Sequence, residues 1–121
     1  MTAPTPLPQT VSLLEEVACT FIDIHLDTVA KRDLAVWFVE HPNGQYTAAD
    51  LSHVLGHERS NVATGLQAMQ EAVVIVPVKA QGQRAWRFTP DPATSQILKA
   101  VARYFHTHPG TRTTIVHHAS A

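Results

Sequence analysis

The stretch TAADLSHVLGHERSNVATGLQAM, residues 47–69, constrains the fold more than any other part of the chain. Thr47 followed by Asp50 has the form of a capping box, with Asp in place of the usual Glu. It opens a short helix carrying Leu51, Val54 and Leu55. Gly56 follows at once, where a helix end favours a residue free to take positive φ. A second helix then starts near Arg59 and runs to about Glu71, with Val62, Leu66 and Met69 turned inward. The same stretch raises a competing possibility. On one unbroken helix His53 and His57 would share a face and could grip a metal ion. A break at Gly56 separates them, and the capping signals favour the break.

Upstream, Pro4, Pro6 and Pro8 read as an extended or disordered lead over residues 1–9. A helix capped by Thr10 carries Val11, Leu14, Val17, Ala18, Phe21 and Ile22 at helical spacing. Asp27-Thr28 looks like a fresh N-terminus for a second helix with Val29, Leu34, Trp37 and Phe38, stopped by Pro42 and Asn43-Gly44. No glycine or proline separates the two, so one long bent helix over about 10–41 stays open. Downstream the period changes. Val73 to Val78 is strand-like, Ala80-Gln81-Gly82-Gln83 is a turn, and Ala85 to Phe88 returns. Pro90 and Pro92 end the hairpin. Ile97, Leu98, Val101, Ala102 and Phe105 mark a last helix over 93–106, closed by His108-Pro109-Gly110. The domain thus spans 10–110, and 111–121 form a polar tail without assignment.

A chain of 121 residues is one domain by length, and its 45% hydrophobic content is that of an ordinary globular protein. No apolar run is long enough to span a bilayer, and MTAPTPLPQT lacks the features of a signal peptide. These observations predict a cytoplasmic protein. The single cysteine, Cys19, rules out an intrachain disulfide and sits at an inward position of the first helix, which predicts a buried, inert thiol. Net charge is −1, but it is unevenly spread: residues 1–50 carry −5 and residues 51–121 carry +4. That asymmetry points to a cationic surface on one side. The chain has no Gly-rich phosphate loop, nucleophile elbow or HExxH, so no enzyme is predicted.

The order of helix, short capped helix, glycine turn, helix, hairpin and helix resembles the winged helix-turn-helix of MarR-like and ArsR-like transcription regulators. The resemblance covers about residues 28–106 and is carried by PNGQYTAADLSHVLGHERSNVATGLQAMQEAVVIVPV and KAQGQRAWRFTPD. It implies a mainly α fold with a small β-hairpin wing, and sequence-specific binding to double-stranded DNA. The helix from Arg59 would enter the major groove and present Arg59, Ser60, Asn61, Thr64 and Gln67. Arg can take guanine O6 and N7 together, and Asn or Gln can do the same with adenine. The hairpin, with Lys79, Gln81, Gln83 and Arg84, would be the wing reaching phosphates or the minor groove. The direction of Arg87 depends on register. The chain departs from the family pattern at Glu58, where Ser or Thr often caps the recognition helix, at Thr64 and Gly65, where a basic residue is common, and at Val73, where glycine often ends the helix.

No cofactor or bound metal is expected. His106, His108, His117 and His118 are further candidate ligands, but no cysteine or carboxylate stands near them in sequence. The apolar stripes of helices 10–26 and 93–106 predict a homodimer in which they pack across a two-fold axis. The alternative to DNA binding is a winged-helix protein-interaction module or anti-regulator.

Overall fold

Two prolines stand in the first turn of the first helix. The computed structural model describes residues 6–113, and α1 spans Pro6–His25. Pro6 and Pro8 are tolerated there because first-turn N–H groups have no intrahelical acceptor. The extended lead is therefore corrected for residues 6–9, and Thr10 lies inside the helix rather than capping it. Residues 1–5 of the expected lead and 114–121 of the expected tail lie outside the described residues.

The alternative of one long helix is settled at residues 26–28. The Thr28 hydroxyl accepts from the Lys31 N–H at 3.1 Å and caps α2, Val29–Glu40. Arg32, on the first turns of α2, is 1% exposed. Its Nε donates to the Leu26 carbonyl at 2.7 Å, which fastens the end of α1 to α2. Burial holds the Arg32 guanidinium below its usual pKa, while Asp23 and Asp27 act in the opposite sense.

The capping box of α3, Ala48–Leu55, forms as expected: Thr47 Oγ1 accepts from the Asp50 N–H and Asp50 Oδ2 accepts from the Thr47 N–H, both at 3.1 Å. Gly56 takes φ 74° and ends the helix. α4 follows as Arg59–Glu71 and packs on α2. The contact is tight at Gly65, where a Cβ would stand 2.7 Å from Leu34 Cδ1. Glycine in mid-helix is thus explained by the approach of two helices.

The end of α4 explains why the strand starts late. Val74 N–H reaches the Met69 carbonyl and Val73 N–H the Gln70 carbonyl, a Schellman stop with Val73 at φ 62°. Val73 is consumed by this stop, so β1 is Ile75–Ala80, two residues later than the sequence suggests. β2, Gln83–Phe88, returns antiparallel through Gln81-Gly82, and Tyr46 adds a single bridge to Trp86 on its other edge. Asp91 caps α5, Pro92–Thr107, and a short α6, Pro109–Thr113, follows.

The core joins α1 to α5 and both strands: Ala18, Ile22, Leu34, Phe38, Leu51, Leu66, Ile75, Trp86, Leu98 and Val101 are buried. The inner stripe of α1 lies on α5 of the same chain. This corrects the expectation that the two stripes meet across a two-fold axis. A helix face covered within its own chain is no longer available to a partner.

Candidate nucleic-acid interface

α4 divides cleanly by its helical period. Val62, Gly65, Leu66 and Met69 are buried, and Arg59, Ser60, Asn61, Thr64 and Gln67 are exposed. The five residues assigned from sequence to its outer face therefore lie there. They do not form one uniform surface. Arg59 shares a shallow groove of about 400 Å³ with Thr47 and Ala48 of the α3 start and with Gln83, Arg84 and Trp86 of the hairpin. Asn61 and Thr64 line a second groove of about 300 Å³, against Thr28, Lys31 and His57. Gln67 points along the helix, its Nε2 donating to Glu71 Oε2 at 3.2 Å.

The hairpin register places the wing residues. Ile75, Pro77 and Lys79 share a face with Arg84, Trp86 and Phe88. At the base this face is buried through Ile75, Trp86 and Phe88; at the tip it presents Lys79 directly opposite Arg84. Like charges in that position repel. Neither these two nor Arg59 has an ion pair among the described residues. Such a cluster is complementary to an anion. Gln81 and Gln83 line a third groove, which also holds the Asp50 carboxylate, so that side of the tip is less suited to phosphate. Arg87 pairs with Val76 on the opposite face from Arg84, which resolves its direction.

Three residues that position this surface were not identified from sequence. Trp86 Nε1 donates to Gln70 Oε1 at 2.9 Å, a direct tie between the hairpin and α4. Tyr46 exchanges two backbone hydrogen bonds with Trp86, at 2.9 and 3.0 Å, and holds the hairpin from the other side. The alternation in Ala85-Trp86-Arg87-Phe88 announced a strand, but only the register shows which member meets α4.

At the elbow, His53 is exposed on α3, and His57 lies beyond Gly56 with Nε2 2.7 Å from Asp33 Oδ2. The break at Gly56 thus separates the pair as expected. No group of three His, Cys, Asp or Glu able to hold a metal occurs among the described residues. His108 stacks on Tyr104 with ring centroids 4.3 Å apart, and His106 is exposed; His117 and His118 lie outside the described residues. Cys19 is half-buried rather than buried. A hydrogen bond with Cys19, then burial, pushes the Tyr104 hydroxyl above its usual pKa, and nearby Glu15 and Asp23 act in the same sense.

Capped α3, the Gly56 elbow, α4 and a two-stranded hairpin, packed on flanking helices, define a winged helix-turn-helix. Two crystal structures of the heme sensor protein PefR are similar to it. One, in complex with heme and carbon monoxide, is 15% identical, with 94% of this chain and 82% of that chain covered and a TM-score of 0.58. The other, PefR from Streptococcus agalactiae in complex with heme, is 13% identical over 94% and 81%, with a TM-score of 0.55. At these identities the likeness is one of fold. No family model and no curated protein sequence matches the chain. Among the described residues no helix is long and apolar enough to cross a membrane.

Proposed function

We propose that this protein is a non-enzymatic, cytoplasmic transcription regulator that binds double-stranded DNA sequence-specifically as a homodimer. The observation that carries the reading is the cluster of Arg59, Lys79 and Arg84, exposed and without ion-pair partners among the described residues, at the junction of α4 and the hairpin. A polyanion would supply the missing counter-charges. α4 lies in the major groove, where Arg59 and Asn61 read base edges and Ser60, Thr64 and Gln67 support them. Lys79, Gln81, Gln83 and Arg84 follow the flanking backbone or minor groove.

The dimer contact proposed here differs from the one expected from sequence. With Ala18 and Ile22 used against α5, α1 still exposes Leu13, Val17 and Ile24 at 62%, 44% and 65%. These positions fall along one line of the helix and offer an apolar strip for a second copy. A two-fold dimer would set two α4 helices in successive major grooves, roughly 34 Å apart, and favour an inverted repeat.

The test is selection from random duplex DNA, followed by titration of the selected and scrambled duplexes at two salt concentrations. Tighter binding to the selected site, weakened by salt, is expected. Undetectable binding at low salt overturns the DNA reading and puts the protein-interaction module in its place. Light scattering that gives a monomer mass at tens of micromolar protein overturns the dimer.

A further inference from the structure

Asp33 sits at the centre of a polar cluster that joins α2, the elbow before α4 and α6. It lies on α2 with its side chain 18% exposed, and its two carboxylate oxygens serve different elements. Oδ2 meets His57 Nε2 at 2.7 Å, and Oδ1 accepts from Arg112 Nε of α6 at 2.7 Å. The neighbouring Arg32 donates through Nη1 to the Thr111 carbonyl of α6. Adjacent residues of α2 thus grip adjacent residues of α6.

The other end of the cluster bears on the recognition helix. His57 is the residue between the Gly56 turn and Glu58, the N-cap of α4. Its carbonyl accepts from Ser52 Oγ at 2.6 Å, and its ring is held by Asp33. Glu58 makes no side-chain capping bond, so the entry of α4 lacks the clamp that Thr47 and Asp50 give α3. At the opposite end, α6 has only five residues and cannot persist as a helix without tertiary contacts. The charged groups around His57 are Asp33 and Lys31 of α2, Arg112 of α6 reached through Asp33, and its chain neighbours Glu58 and Arg59.

We propose that Asp33 is a positioning residue that couples the docking of α6 to the elbow launching α4, so that release of α6 alters DNA affinity. The physical basis is one carboxylate shared by two cationic or cation-capable groups. Arg112 neutralises Asp33 while α6 is docked; when α6 leaves, the whole charge falls on His57 and the elbow tightens or shifts. The affinity consequence rests on the DNA-binding reading, whereas the coupling itself does not.

The experiment uses the full chain and two readouts. Backbone and ring resonances of His57 are recorded by NMR in wild type, R112M, R112K, D33N and the D33N/R112M double variant. R112M is expected to shift the His57 and Glu58 resonances, R112K to leave them near wild type, and R112M to add nothing once D33N is present. Unmoved resonances in R112M, or an equal shift in the D33N background, overturn the coupling. Should D33N fail to fold, amide hydrogen exchange at the start of α4 is compared in R112M and wild type, and equal protection overturns the proposal. The second readout is affinity for the selected duplex. R112M is expected to change Kd about threefold or more with the wild-type salt slope. An unchanged Kd, or a slope reduced by one phosphate contact, overturns the link to α4. If wild type binds no duplex, the DNA reading fails while the resonance shifts still decide the coupling.

Discussion

At the junction of α4 and the wing, Arg59, Lys79 and Arg84 have no anionic partner among the described residues; around the N-terminal half of α2, Lys31, Arg32 and Arg112 are all engaged. Lys31 Nζ lies 2.6 Å from Asp27 Oδ1, Arg32 ties α1 and α6 to α2, and Arg112 meets Asp33. Each region gathers three cations, yet their surroundings differ. Cations around α2 hold helices together, and cations at the wing have no such partner among the described residues. The lesson is that a count of charges does not locate an interface; the pairing of each charge does.

The sharpest way to break this contrast is Arg32→Ala. It removes a buried cation, leaves the Leu26 and Thr111 carbonyls without that donor and opens a void. A stability loss of about 3 kcal/mol is expected in urea unfolding, with an unchanged salt slope in DNA titration. If Arg32→Ala unfolds like wild type, the division between structural and free cations collapses.

Arg59→Ala tests the other region. It is expected to cost about 1–3 kcal/mol on the preferred duplex and to relax preference at one base pair, with thermal unfolding unchanged. Arg84→Ala is milder and different in kind. Binding should weaken on all duplexes alike, by about 1 kcal/mol, and the salt dependence should flatten by about one phosphate contact. Equal effects of the two variants on every duplex would show that α4 makes no base contact.

Val73→Gly is expected to stabilise the protein by up to about 1 kcal/mol, because an exposed β-branched residue at φ 62° is strained and little burial is lost. Unfolding of the variant at or below wild-type stability would show that the α4 stop carries no such strain. The smallest effect belongs to Asp27→Asn, on an exposed i,i+4 pair, at a few tenths of a kcal/mol near neutral pH. The hydrogen bond from Lys31 lowers the Asp27 pKa, so its contribution is present above the unfolded value and fades as pH falls through the folded one. Wild type and Asp27→Asn should therefore converge in acid unfolding as pH falls below the ordinary carboxylate range.

Local chemistry was legible in the sequence. Thr47 with Asp50, Gly56, Thr28 and the Gln81-Gly82 turn each act through backbone groups a few residues away, so spacing alone locates them. The buried and exposed faces of α4 follow from the 3.6-residue period, which placed Arg59, Ser60, Asn61, Thr64 and Gln67 outward before any packing was known. The proline lead misread α1 for an equally local reason: proline breaks a helix interior but fits a first turn, and sequence alone left the start of the turn open.

What tertiary structure decided lies between residues far apart in the chain. The face of the hairpin that meets α4 depends on the tie from Trp86 to Gln70 and the bridge to Tyr46. The role of Gly65 depends on Leu34 of α2, and the stripe of α1 is satisfied by α5 of its own chain rather than by a second copy. Asp33, His57 and Arg112 span 79 residues of sequence, and no periodicity or motif links them. Capping and helical period are set by neighbours within one turn, whereas pairing of charges and matching of faces require the chain to be folded first.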